Sequence, residues 1–294
     1  MGGIIMEERS VNKNGFNYPQ NNAAKAILWS LYPIAASLLV TVLVAVVFVV
    51  IVICTMVTSG GLSQSMLWRM ISDNYGILHV AEKALTLGAV LPIFLIHRKY
   101  LPRVEKCSAR TVVLSAMFVA GAFAIIGALQ SLVFELLLIR DMAWEETQEI
   151  IISMPFVFKI VSTVILAPIV EEIMFRGIIV NRLMSRFPIW IAVAVSSALF
   201  GLVHLNLYQG VFAGLGGVAL ALIYIKTRSL WACIFAHAAN NLYATLTSYV
   251  EWSGEVMPYV ANVIFGFVML VPVFIFWRIK ANKERETIDF SDGM

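Results

Sequence analysis

The chain has 294 residues, of which 60% are hydrophobic and only 13% are charged. Soluble domains average about 45–50% apolar and about 25% charged residues, so this composition and a mean hydropathy of +0.86 exclude an ordinary soluble domain and a disordered chain. The net charge of +3 is too small to indicate a nucleic-acid partner, and three cysteines do not make a disulfide framework.

Eight apolar segments follow one another along the chain, each long enough to be a transmembrane helix. The first, at about 27–57, is too long for the apolar core of a signal peptide. The others lie at about 77–97, 111–139, 155–180, 188–206, 210–225, 230–250 and 258–279. None alternates like a barrel strand. The sequence therefore predicts an all-α polytopic membrane protein with about eight transmembrane helices.

The distribution of basic residues predicts the orientation of these spans, because cytoplasmic loops carry an excess of Lys and Arg. With the N-terminus inside, sixteen of the 21 basic residues fall on the cytoplasmic side. Both termini are therefore predicted to be cytoplasmic, with a polar segment at 1–26, an intramembrane domain at 27–279 whose motif core is 155–250, and a polar tail at 280–294. The expected location is the plasma membrane of a bacterial cell, with the lipid bilayer as the surrounding partner.

Charged groups inside apolar spans are costly and mark functional sites by default. The fourth predicted span, ILAPIVEEIMFRG, contains Glu171, Glu172 and Arg176. Glu172 and Arg176 are four residues apart with the glutamate first, which is the favoured order for a helical ion pair. Glu171 points about 100° away from Glu172 on a helix, so this pair does not account for it. Glu171 is therefore a candidate functional residue.

Two histidines lie in other predicted spans, each with a partner one helical turn away. Phe200 precedes His204 in the fifth span, and Asn241 follows His237 in the seventh. The chain turns between the fourth and fifth spans at a point nearly equidistant from Glu171 and His204, so an antiparallel helix pair would bring both side chains to one level. A lone buried histidine is more often a packed core residue, but this combination favours a shared site.

These residue types suit the attack of water on an amide bond. Glu171 would be a general base for water and His204 would share the proton, while His237 and Asn241 would stabilise an oxyanion. In the alternative, Glu171, His204 and His237 ligate Zn²⁺ and leave one position open for water. The HExxH signature is absent and asparagine is a poor zinc ligand, so a site without metal or cofactor is preferred.

Three short motifs resemble those of the CAAX protease and bacteriocin-processing (CPBP) family, which includes type II CAAX prenyl endopeptidases and bacterial Abi-type proteins. EEIMFR resembles the EExxxR motif, Phe200 to His204 resembles FxxxH, and His237 to Asn241 resembles HxxxN. Each motif is weak alone, but the three occur in order on three separate predicted spans. The motif region covers about 171–241, and the eight-helix layout extends the similarity to most of the chain.

The resemblance implies an intramembrane endopeptidase and assigns a role to each matching residue. Glu171 resembles the catalytic glutamate and His204 the catalytic histidine. Glu172 and Arg176 resemble the supporting pair, and His237 with Asn241 the oxyanion or ligand pair. The implied substrate is a membrane-associated peptide or protein, lipidated or not, such as a CAAX tail or a bacteriocin-like or signal-peptide-like segment. Both a metalloprotease and a metal-free glutamate mechanism are compatible with the family.

Two functions of other classes stay open. The first is a non-catalytic membrane scaffold or a bacteriocin self-immunity protein of the same fold, against which the full set of catalytic side chains argues. The second is a transporter with Glu171 and the two histidines as a proton path, although the sequence has no pseudo-symmetric pair of broken helices.

Other features of the spans are predicted to be structural. Gly210 and Gly214 have the GxxxG spacing of closely packed helices. His79, Glu82 and Lys83 are predicted to make a local polar contact or to reach the membrane surface, and Lys159 is likewise expected to reach interfacial water.

Overall fold

The computed structural model describes residues 23–58, 61, 63–98, 107–251 and 256–292, with no side-chain description for 64, 68 and 281–292. The predicted polar segment at 1–26 lies almost wholly outside the described residues, as do the last two residues of the predicted tail. Within the described ranges, all regular elements are helices. We number the continuous helices α1 Ala23–Thr58, α2 Gln64–Arg98, α3 Ala109–Leu136, α4 Met142–Ser153, α5 156–184, α6 Ile189–Leu202, α7 Leu207–Thr227, α8 Leu230–Thr247 and α9 Met257–Asp292.

Helix α5 is not a regular α-helix along its whole length. It alternates between α-helical and π-helical segments, which are Phe156–Lys159, the π segment Ile160–Leu166, Ala167–Glu172, the π segment Ile173–Val180, and Asn181–Met184. Segments of π-helix are rare and frequently occur at functional sites. Glu171 and Glu172 end the short α-helical segment between the two π segments, so the helix changes its winding directly after both carboxylates.

Among the described residues, five helices are long and apolar enough to cross a membrane by length and composition, namely Ala23–Thr58, Ser65–Arg98, Ala109–Leu136, Leu207–Thr227 and Met257–Lys280. On α1, large apolar side chains such as Val42, Val46 and Val50 are more than half exposed, as expected for a helix that faces lipid. The fold is that of an all-α polytopic membrane protein, as predicted. The number of eight spans and the cytoplasmic position of both termini remain predictions.

Three helix boundaries differ from the sequence prediction. Helix α2 begins at Gln64 rather than near residue 77, because its first turns are polar and lower the local hydropathy. The segment between the predicted spans at 111–139 and 155–180 contains helix α4, where the Asp141 side chain accepts a hydrogen bond from the Trp144 N–H and caps the helix N-terminus. Helix α6 ends at Leu202, so His204 lies in the following turn and not on the predicted helix.

Helix α5 lies at the centre of the packed core. All residues from Glu172 to Met184 are buried, and α5 packs against α2 and α8. Helix α3 packs against α7, α8 and α9 on another side of the bundle. A helix with no exposed face over three turns has no room for hydration of a charged side chain, so its polar groups need partners within the protein.

Glycines allow α6 and α7 to approach closely. A Cβ added at Gly201 of α6 would overlap the Gly210 carbonyl oxygen and lie 3.3 Å from the Gly214 Cα atom. Gly210 and Gly214 therefore pack against a neighbouring helix, as their spacing predicted. This contact positions the turn that carries His204 at the α6–α7 junction.

The expectation for Lys159 is wrong. Its side chain is buried, with 1% of the residue exposed, and Nζ donates a hydrogen bond to the Tyr249 hydroxyl at 3.0 Å. The ammonium also lies 4.6 Å from the centre of the Tyr249 ring. The Tyr249 hydroxyl, just beyond the end of α8, therefore binds the Lys159 ammonium in place of interfacial water.

Candidate active site

A cavity of about 660 Å³ inside the helix bundle brings together the main residues predicted for the site. Its polar wall includes Glu171 from α5, His204 from the turn after α6, and His237 and Asn241 from α8. Residues separated by up to 70 positions in the sequence therefore line one shared cavity. A cavity with a few convergent polar groups is the default position of a binding or active site.

Glu172, Arg176 and His237 form a buried ionic network behind this wall. Arg176 Nη1 lies 3.0 Å from Glu172 Oε1, and both side chains are fully buried, so the predicted ion pair is present. His237 Nδ1 donates to the same Oε1 atom at 2.9 Å. Arg176 Nη2 donates to the Gly217 carbonyl oxygen of α7 at 2.8 Å. The network thus fixes the orientation of the His237 ring and directs its Nε2 atom away from Glu172.

Glu171 faces the cavity instead of this network. Its side chain is 16% exposed, whereas that of Glu172 is completely buried. The Glu171 Oε2 atom lies 3.9 Å from Nε2 of His237. The two adjacent carboxylates therefore have different environments, one held by a guanidinium and one open to whatever occupies the cavity.

His204 is held in one tautomer by the end of α6. Its Nδ1 atom donates a hydrogen bond to the Phe200 carbonyl oxygen at 2.7 Å. That oxygen is one of the last carbonyls of a helix, which have no partner within the helix itself. Since Nδ1 carries the donated hydrogen, Nε2 of the neutral ring keeps its lone pair and can accept a proton.

The Phe200 ring joins the histidines to the buried arginine. It makes edge contacts with His204 and His237, with ring centres 5.3 and 5.9 Å apart, and the Arg176 guanidinium lies 4.8 Å from its centre. Phe175 packs against it from α5. The FxxxH spacing therefore places both a carbonyl acceptor and an aromatic support beside the histidines.

Asn241 lines the cavity but also has a structural contact. Its Nδ2 atom donates to the Thr163 carbonyl oxygen in the first π segment at 2.8 Å, and its Oδ1 atom accepts from Asn240 at 3.2 Å. One hydrogen of the Asn241 amide remains for a ligand. The residue thus joins α8 to α5, a role that its spacing from His237 did not indicate.

The predicted alternative of a zinc site was compared with this geometry. Across the described ranges, no three His, Cys, Asp or Glu side chains are grouped closely enough to hold a metal ion. Glu171, His204 and His237 share the cavity but are not drawn together as a ligand set. We therefore derive no catalytic step through a metal.

The sequence prediction missed a second polar surface of the cavity, on α2. Tyr75, His79, Glu82 and Lys83 recur at helical spacing and line the same space as Glu171. Lys83 Nζ pairs with Glu82 Oε2 at 3.1 Å, so the predicted local polar contact is present. The sequence analysis did not place these α2 residues in the site. The rule that charged residues inside spans mark functional sites applies equally to this helix.

The segment that forms this site is similar to known proteins. The model of the Rce1-like type II CAAX prenyl endopeptidase family matches residues 153–243, which include helix α5 and most of α8. A Bacillus subtilis (strain 168) protein named "Putative membrane peptidase YdiL" is 34% identical over 103 residues. This alignment covers 35% of the chain and 42% of the relative, so the chain spans less than half of that protein's length.

No solved structure matches the chain. The family match covers the segment that carries all three motifs, including Glu171 and Glu172 on α5. Over residues 153–243, the chain is therefore similar to the Rce1-like type II CAAX prenyl endopeptidase family.

Proposed function

We propose that the protein is an intramembrane endopeptidase that hydrolyses a peptide bond of a membrane-associated peptide or protein. One observation carries the proposal: Glu171 is the carboxylate of α5 that faces the cavity, while the adjacent Glu172 is bound by Arg176 and His237. The match to a CAAX prenyl endopeptidase family and the similarity to a protein named as a membrane peptidase support it.

In the proposed mechanism, Glu171 accepts a proton from a water molecule as that water attacks the scissile carbonyl carbon. The tetrahedral intermediate carries its negative charge on the former carbonyl oxygen, which the second N–H of Asn241 and a protonated Nε2 of His237 would stabilise. His204 accepts and returns protons through Nε2, because its Nδ1 atom is bound to the Phe200 carbonyl. Collapse of the intermediate breaks the C–N bond, and the leaving amine takes up the proton.

The composition of the cavity wall supports a substrate with an apolar part. Helix α1 also contributes apolar side chains such as Leu38, Val44 and Phe48 to the cavity wall. A peptide that enters there would place apolar or lipidated side chains against α1 and its backbone against Glu171. CAAX-type tails and bacteriocin-like or signal-peptide-like segments both meet this requirement.

The proposal is tested by cleavage assays in detergent with a library of lipidated and unlipidated peptides. Wild-type protein is compared with Glu171→Gln, which keeps the size of the side chain but removes its base. Glu149→Gln is a matched control, because Glu149 lies on the exposed face of α4. We expect cleavage by wild type and Glu149→Gln, and loss of at least about three orders of magnitude in Glu171→Gln.

Two results would contradict the proposal. Cleavage that persists in Glu171→Gln would exclude this carboxylate as the base. A wild-type protein that cleaves no peptide of the library, yet keeps its cellular phenotype when Glu171 is replaced in vivo, would favour a scaffold or immunity protein.

A further inference from the structure

Helix α2 presents one continuous stripe of side chains to the cavity. Ile71, Tyr75, Leu78, His79, Glu82 and Lys83 all line it, and their spacings of three and four residues correspond to one face of a helix. Lys83 is the single Lys or Arg among the described residues that line the cavity. A cation on the wall of a largely apolar cavity inside a membrane span marks a functional position by default.

Packing places Lys83 and Glu171 in the same part of the bundle. A Cβ added at Gly76 would lie 3.0 Å from the Phe158 ring, and one added at Gly177 would lie 2.9 Å from the Phe94 ring. Helices α2 and α5 therefore run side by side in the same direction between these two contacts. Lys83 and Glu171 both fall within that stretch and line the same cavity.

Lys83 is anchored through Glu82. Glu82 Oε1 accepts hydrogen bonds from the hydroxyls of Thr41 on α1, at 3.0 Å, and Thr86, at 3.3 Å. Glu82 Oε2 lies 3.1 Å from Lys83 Nζ. The two hydroxyl donors hold the Glu82 carboxylate in place for the flexible lysine side chain, and two N–H groups of the ammonium remain available to the cavity.

The Glu171 carboxylate lacks such a partner. Within the described part of the chain it has no Lys or Arg ion pair, and its one close ionisable neighbour is His237 Nε2 at 3.9 Å. The other groups around it are His79 on α2, His204 beyond α6, and the Glu172–Arg176 pair, whose charges compensate each other. Removing a carboxylate from water is costly unless a compensating charge or hydrogen bond is near.

We propose that Lys83 is a positioning residue of the active site, the counter-ion that stabilises the negative charge of Glu171 across the cavity, with Glu82 holding the lysine in place. This inference rests on the proposed peptidase function. Lys83 does not touch the reacting atoms and acts through Glu171. The simpler alternative is that Lys83 only neutralises Glu82, and the two roles predict different results.

The test measures kcat and KM separately for four variants with a peptide that the wild type cleaves. Lys83→Gln should lower kcat by at least about tenfold with little change in KM, because the base is affected and the substrate contacts are not. Lys83→Arg should recover most of the rate, since it keeps the charge. Lys226→Gln is the control, because this exposed lysine lies over Trp277, outside the cavity, and should leave kcat unchanged.

The double variant Glu82→Gln/Lys83→Gln separates the two roles. If Lys83 serves Glu171, the double variant stays as slow as Lys83→Gln. Recovery of the wild-type rate in the double variant, or a Lys83→Gln rate within twofold of wild type, would overturn the inference.

An infrared measurement makes the test independent of any substrate. The carboxylate band of Glu171, assigned by difference against Glu171→Gln, should weaken in Lys83→Gln and be retained in Lys83→Arg. An unchanged band in Lys83→Gln would contradict the inference even if the protein proved not to be a peptidase, whereas absence of wild-type cleavage alone would contradict the proposed function.

Discussion

His237 and Arg176 bind the same oxygen atom of Glu172. His237 Nδ1 lies 2.9 Å and Arg176 Nη1 3.0 Å from Glu172 Oε1. The ion pair with Arg176 alone would make Glu172 a structural residue. Because Glu172 also binds His237, it orients the ring that faces Glu171 as well. Under the proposed mechanism, stability and catalysis are therefore coupled at this one carboxylate.

Replacement of Glu172 by glutamine should be strongly destabilising. The variant leaves the Arg176 guanidinium fully buried without its counter-charge, and breaking a buried pair in this way costs about 3–5 kcal/mol. Thermal unfolding in detergent, followed by circular dichroism, checks the expected loss. The double variant Glu172→Gln/Arg176→Met should regain part of the stability but not the cleavage activity, because His237 has still lost its partner. Equal recovery of both would contradict the coupling.

The Phe200→Leu variant should remain folded but lose activity. Leucine fills most of the volume, so we expect a stability change of about 1 kcal/mol. It lacks the edge contacts with both histidine rings and the face beneath Arg176. We predict a fall in kcat/KM of about tenfold or more. Phe235→Leu is the matched control, since Phe235 is 52% exposed. Equal kcat/KM values for the two variants would show that the ring does not position the site.

The elements of this site differ in how far the sequence predicts them. Helical spacing suffices for the Glu172–Arg176 pair, and GxxxG spacing for the approach of α7 to α6. The ion pair joins residues close in sequence, and the glycine contact uses a helix face with a strong local pattern. The separation of Glu171 from Glu172 also follows from the 100° turn per residue.

Other features depend on contacts between distant segments. The π segments on either side of Glu171 and Glu172 have no known local signature in these residues. His204 lies beyond the end of α6 because its side chain binds the Phe200 carbonyl, whereas the apolar run continues past that point. The position of Lys83 beside the cavity requires the packing of α2 along α5, which hydropathy does not predict.

Removal of metal should leave the peptidase active. The described side chains form no group of three suitable ligands, and the proposed base acts on water directly. Protein treated with a chelator and shown by elemental analysis to be free of zinc should retain its kcat within about twofold of untreated protein. Activity that disappears with the metal and returns in proportion to bound Zn²⁺ would instead make Glu171, His204 and His237 candidate ligands.

The Gly201→Ala variant tests the close contact that positions His204. The added methyl group would overlap the Gly210 carbonyl oxygen, and backbone atoms cannot yield as a flexible side chain can. We expect a loss of about 1–3 kcal/mol of stability and a fall in cleavage rate, because separation of α6 and α7 displaces the turn between them. The control is Gly88→Ala on α2, where an added Cβ meets no atom within 4 Å. Thermal unfolding of the two variants and their cleavage rates are compared under the same detergent conditions. A Gly201→Ala protein as stable and as active as Gly88→Ala would mean that the helices can separate without moving His204, and the turn would then have to be held by the Phe200 carbonyl alone.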